Sequence, residues 1–139
     1  MRPDISKRLI AETVKFHGHL GPFLILGLKA GLLANRVLGK DPIRTRAIVE
    51  TDPKPPRSCV IDGIQVATGC TMGKRNIELK RSNRVSITFT RGERSLRLCL
   101  RREALEGVAT ISSVEEAERM ALALASKPVQ ELFETEKGP

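Results

Sequence analysis

The sequence contains no tryptophan and no tyrosine, and four phenylalanines make up its 3% of aromatic residues. A core must therefore be built from Leu, Ile, Val and Ala. A surface that stacks unpaired nucleobases on exposed Tyr or Trp rings is excluded. Long hydrophobic runs are missing too, and nothing approaches the roughly 18 consecutive apolar residues of a membrane span. The opening residues, Met1 to Arg8, are polar and lack the apolar stretch and small-residue cleavage site of a secretory signal. Cysteine is scarce, with three residues, and histidine scarcer, with two. Three cysteines suit a reducing compartment better than a disulfide framework. These absences predict a cytoplasmic protein with no membrane segment. The 139 residues, 40% of them hydrophobic, predict a single domain over 1–139.

What the chain has in excess is positive charge, +8 in all, unevenly placed. Residues 29–102 carry seventeen basic and six acidic side chains, whereas residues 103–139 carry three and eight. Such a middle segment either forms a solvated Lys/Arg surface or attracts an anionic substrate, cofactor or nucleic acid.

The apolar spacing predicts an amphipathic helix over 5–16, then a turn at His17-Gly18-His19-Leu20-Gly21 with Pro22 opening a second helix to about residue 38. That second helix is apolar almost all round, which predicts a buried central position. Gly27 and Gly31 in it permit the close approach of another element, and they predict a homodimer. Ile43–Thr51 reads as a strand, and Asp52-Pro53-Lys54-Pro55-Pro56-Arg57 as a stiff loop. The loop feeds a helix from Cys59, capped by Ser58 and stopped by Gly69. Alternation over 76–80, 84–90 and 94–101 predicts three more strands, with Ile77, Leu79, Val85, Ile87, Phe89, Leu96, Leu98 and Leu100 facing inward. Arg91-Gly92-Glu93 joins the last two in a hairpin. A helix capped by Ser112 or Ser113 and a short helix over about 129–134 complete the chain. The predicted class is α+β: an antiparallel or mixed sheet of about four strands, covered on one face by helices that include the buried central one.

Several residues carry candidate chemistry. His17 and His19 sit in a glycine-punctuated turn, where they serve either as helix-end histidines donating to carbonyls or as two imidazoles aimed at one metal ion. Cys59, at a helix start where the dipole favours a thiolate, is the best third ligand. The expected ion is zinc or another divalent transition metal. Eleven helical residues place the sulfurs of Cys59 and Cys70 roughly 16 Å apart, so the two cannot share an ion within one chain. Asp62 and Gln65 are polar residues in the middle of an apolar helix and are the candidate catalytic pair. Asp62, one turn from Cys59, is placed to orient a ligand or move a proton. Cys70, Thr71 and Lys74 form either a short anion-holding loop for a substrate or a tight turn with an exposed lysine. Cys99 reads as a small strand residue.

Three ordered motifs carry a resemblance: Phe16-His17-Gly18-His19-Leu20-Gly21-Pro22-Phe23, then Cys59-Val60-Ile61-Asp62-Gly63-Ile64-Gln65, then Thr68-Gly69-Cys70-Thr71-Met72-Gly73-Lys74 with Asn76. Together they resemble the E-subunit family of formylmethanofuran dehydrogenase. The resemblance implies an α+β domain, often dimeric, with a metal, usually zinc, near the histidine and cysteine motifs. It also implies association with a molybdenum- or tungsten-dependent enzyme complex of one-carbon metabolism, but it supplies no defined reaction. Many members carry a cysteine where this chain has Gly21. Some add a cysteine-rich zinc ribbon at the C-terminus, which the residues after Cys99 do not resemble. The expected function is that of a metal-binding enzyme or accessory subunit acting on a small anionic ligand. The alternatives are a basic nucleic-acid-binding module, which the lack of aromatics disfavours, and a structural subunit of a larger complex.

Overall fold

The computed structural model describes residues 5–139. Helix α1 (Lys7–His17) begins where the Ser6 hydroxyl accepts the Leu9 N–H at 3.1 Å. It ends at Gly18, whose φ of 112° only glycine adopts without strain. The chain then bends by 120° into α2 (Pro22–Leu38), with Pro22 at its first position. No single described helix is long and apolar enough to cross a membrane.

Helix α2 is the centre of the molecule, and twelve of its residues are buried. Its apolar surface is consumed within the chain. Helix α3 (Val60–Thr68) crosses it so closely that a Cβ on Gly27 would lie 2.0 Å from the Val60 carbonyl oxygen. A Cβ on Gly31 would lie 2.6 Å from that of Ala67. Gly63 of α3 answers from the other side, against the backbone of Leu24 and Leu28. The glycines expected to serve a homodimer are therefore spent on the α2–α3 crossing, and self-association would need another surface. The buried Lys29 ammonium donates to the Ala125 carbonyl of α5 at 3.1 Å, tying the next layer down.

Behind α2 lies a five-stranded mixed sheet in the order β2-β1-β3-β4-β5. Its strands are β1 (Arg46–Thr51), β2 (Ile77–Arg81), β3 (Ser86–Arg91), β4 (Arg94–Leu100) and β5 (Phe133–Lys137). Strands β1 and β2 pair parallel, joined through α3, and the other pairs are antiparallel. The inner face carries Val49, Ile87, Phe89, Leu96 and Leu98, all fully buried. The outer face is polar: Arg97 donates to Glu50 at 3.2 Å and to Thr88 at 3.3 Å. The β3–β4 hairpin turns at Gly92, as expected, and its arginines cap α2. Arg91 donates to the Leu38 carbonyl at 2.9 Å, and Arg94 donates to that of Val37, two carbonyls that the helix itself leaves unpaired.

Helices α4 (Arg102–Ala109) and α5 (Val114–Ser126) follow, the latter capped by Ser113, which accepts the Glu116 N–H at 3.1 Å. Two expectations need correction. The short terminal helix is only α6 (Val129–Leu132), and the chain continues as β5, which makes the sheet one strand larger than expected. Leu79 is 37% exposed, because β2 is an edge strand with only Ile77 reaching the core.

Candidate metal centre and ligand cavity

The α2–α3 crossing sets the site. It brings the start of α3 beside the start of α2, and α1 delivers its last residue, His17, to the same corner. The chain enters α3 through a 3-10 turn (Arg57–Cys59), so Cys59 occupies the cap position and the Ser58 hydroxyl caps nothing. Among the described residues, His17, His19 and Cys59 each offer a donor atom, and these atoms all lie within 4.8 Å of one another. Donors 2.0–2.3 Å from one tetrahedral ion stand about 3.3–3.8 Å apart, so a small side-chain rotation closes the set. His19 is exposed and able to make it.

The other two ligands are prepared. The Asp62 carboxylate lies 2.6 Å from His17 Nδ1. An ionised carboxylate has no proton to give, so the proton sits on Nδ1 and Nε2 keeps its lone pair. That Nε2 is buried and has no partner. A buried imidazole nitrogen left bare is costly unless something accepts its lone pair, and a metal ion does so. The donor set of two imidazoles and one thiol suits zinc and its divalent neighbours.

Gln65 extends this support. Its amide donates to Asp62 Oδ1 at 3.4 Å, and its carbonyl accepts the Met72 N–H at 3.0 Å. Asp62 and Gln65, expected as a catalytic pair, thus form a line from His17 to the 71–74 turn, in which Asp62 holds the ring and Gln65 holds Asp62.

Cys70, Thr71 and Lys74 are not brought to this corner. Cys70 is fully buried, with its thiol donating to the Thr45 carbonyl at 3.4 Å. The Thr71 N–H donates to Asn76 Oδ1 at 2.9 Å. The Lys74 ammonium donates to the Gly69 carbonyl at 2.5 Å and to Thr71 Oγ1 at 3.0 Å. These bonds close a turn, and Asn76 pins it by donating to the Pro42 carbonyl at 2.7 Å.

A cavity of about 310 Å³ opens from the three donors. Phe23 and Leu24 from the start of α2, Leu105 and Val108 from α4, and Ile111 wall it with apolar groups, while Asp52 and Arg57 supply charge at its rim. The α2 start has no side-chain cap, so its orphan N–H groups favour negative charge there. No sequence signal marks this wall, because the residues of α4 read only as core.

Burial pushes the Cys59 thiol up, and the neighbouring Asp62 carboxylate adds to the rise. This corrects the expectation of a thiol activated by the helix start. The metal-free thiol stays protonated near neutral pH, and metal binding there displaces its proton. Limiting iodoacetamide on metal-free protein is therefore expected to label half-buried Cys99 first, Cys59 later and buried Cys70 last. Peptide mapping by mass spectrometry checks the order, and early label on Cys59 would show that the dipole outweighs burial.

The family model described as "FmdE, Molybdenum formylmethanofuran dehydrogenase operon" matches residues 16–135. This chain belongs to the FmdE family. Its fold is similar to that of a crystal structure from Syntrophus aciditrophicus, an FmdE-like protein of the tungsten formylmethanofuran dehydrogenase. The TM-score is 0.65 at 18% identity, covering 94% of this chain and 70% of that one. The chain is also 38% identical over 77 residues to a probable S-adenosyl-L-methionine-binding protein of Archaeoglobus fulgidus. That match covers 50% of this chain and 20% of the relative, so the chain spans about a fifth of that protein's length. The FmdE assignment makes this a protein related to the molybdenum and tungsten formylmethanofuran dehydrogenases, with a His/Cys group able to hold a metal.

Proposed function

We propose that this FmdE chain is a metal-dependent small-ligand protein. In this reading His17 Nε2, His19 and Cys59 hold one zinc-like divalent ion, whose fourth position faces the apolar cavity. The observation that carries it is the bare, buried Nε2 of His17, fixed by Asp62 and grouped with two further donors. Three protein ligands beside an open cavity fit a reactive centre better than a structural one, which closes with four. The ion would supply Lewis-acid polarisation of a ligand oxygen. The chain's own residues do the rest: Asp62 Oδ2 holds the Nδ1 proton, the α2 start favours negative charge, and the apolar wall excludes water. The protein acts as an enzyme or as an accessory component of a molybdenum or tungsten enzyme complex, on a small anionic ligand.

Gly21 explains why the fourth position is open. A Cβ there would lie 3.4 Å from His19 Cε1 and 3.7 Å from its Nδ1, on the cavity side. The backbone at φ −147° accepts any residue. A cysteine at this position would add a fourth donor. Protein purified without an affinity tag is expected to hold one equivalent of a divalent transition metal. Cobalt-substituted protein should show visible bands that shift with azide, and Gly21→Cys should abolish the shift. Absence of bound metal, or wild-type bands indifferent to azide, would overturn the reading. S-adenosylmethionine belongs among the first ligands titrated, given the relative's name.

A further inference from the structure

The wall that closes the apolar cavity at Asp52 and Arg57 is also the wall of a second cleft. This cleft, of about 340 Å³, is lined by Asp52, Lys54, Arg57, Arg81, Ser82 and Asn83. Its cations converge from separate places: Lys54 and Arg57 from the proline-rich loop after β1, and Arg81 from the end of β2. Arg57 is held in position by one bond, from Nη1 to the Asn83 carbonyl at 3.0 Å, and its other N–H groups remain available. Among the described residues, neither the Lys54 ammonium nor the Arg81 guanidinium has a carboxylate partner. The Asp52 carboxylate is turned to its own loop, accepting the Lys54 N–H at 3.3 Å. Three cations against one carboxylate leave a local excess of two positive charges. The prolines at 53, 55 and 56 limit how far the loop can relax to disperse them.

We propose that this cleft is an anion subsite for a phosphate group, and that the ligand is amphipathic. Its phosphate lies between Lys54, Arg57 and Arg81, and its apolar portion passes Arg57 into the cavity beside His17, His19 and Cys59. A phosphate dianion matches the excess of two charges and offers oxygens to guanidinium forks, an ammonium and the Ser82 hydroxyl at once. A carboxylate brings half the charge. The inference rests on reading the neighbouring cavity as a ligand pocket. It moves the anion-holding role from the Lys74 turn, where the ammonium is already engaged with Gly69 and Thr71, to a place where the cations are free.

The test is a titration of the full chain, at physiological salt, with inorganic phosphate and with ethyl, butyl and hexyl phosphate, each matched to the carboxylate of equal chain length. Affinity is expected to rise about threefold per methylene, the gain from burying apolar surface in the cavity. Amide shifts should appear together at Arg81 and Ser82 and at Val108 and Ile111. Lys54→Ala and Arg81→Ala should each weaken hexyl phosphate about tenfold, with metal content unchanged. A flat chain-length series, equal binding of hexyl phosphate and the matched carboxylate, or wild-type affinity in both variants would overturn the proposal. So would loss of phosphate binding on removal of the metal with a chelator, which would place the anion on the ion itself. Protein that holds no metal yet shows the expected series leaves this inference standing and sinks the metal centre. Metal-loaded protein with a flat series does the reverse.

Discussion

Gly63→Ala is expected to unfold this domain at markedly lower temperature than any surface change. The added Cβ would stand 2.2 Å from the Leu24 carbonyl oxygen and 2.5 Å from the Leu28 amide nitrogen. Both are backbone atoms of α2, so neither can swing aside as a side chain would. The two helices must separate, and with them the core that α2 shares with the sheet. Overpacking of this kind costs about 3 kcal/mol or more when the clash is with backbone. In a domain of this length that lowers the midpoint by roughly 10 °C. Gly27→Ala meets the Val60 carbonyl from the opposite side and should behave alike. Gly107→Ala is the control: it lies inside α4, nothing stands within 4 Å of its Cβ, and helix propensity predicts a gain of up to about 1 kcal/mol. Thermal melts followed by circular dichroism decide it. A Gly63→Ala melt at the wild-type midpoint would mean that the crossing is looser than the distances require.

The same crossing shows what the sequence could and could not convey. Gly27 and Gly31 announced a close approach, but spacing within one helix cannot say whether the visitor is another chain or α3. The matching Gly63 became meaningful only when its neighbours in space were known. Helix α2 itself was legible from Pro22 at its start and Gly39 after its end, and the hairpin from Gly92, because these residues act locally. Strand β5 was hidden because Phe133–Lys137 follows a single helical turn with no breaker between them, and its pairing with β4 is set by a partner more than thirty residues earlier. Cys59 looked activated from its helix position, whereas its burial and the carboxylate of Asp62 act in the other direction. His17, His19 and Cys59 were legible as a set because scarce residue types stood out. Lys54, Arg57 and Arg81 were hidden among seventeen basic side chains in one segment.

Removing any of the three donors should empty the metal centre. His17→Ala, His19→Ala and Cys59→Ser are each expected to fall from about one equivalent of metal to a small fraction after dialysis. Two remaining donors hold a divalent ion too weakly to survive it. Cys99→Ser should keep full occupancy, since that residue sits on the outer sheet face. Asp62→Asn is the informative case. An amide oxygen can still accept the His17 Nδ1 proton, but without a charge and with the option of flipping, so metal affinity should fall about ten- to a hundredfold and not vanish. Gln65→Ala frees one side of Asp62 and should produce a smaller loss in the same direction. Elemental analysis gives occupancy, competition with a chromogenic chelator gives affinity, and circular dichroism confirms the fold of each variant. Full occupancy in His17→Ala and Cys59→Ser would remove the centre. Unchanged affinity in Asp62→Asn would leave the ligands but refute the role given to the 2.6 Å contact between Asp62 and His17.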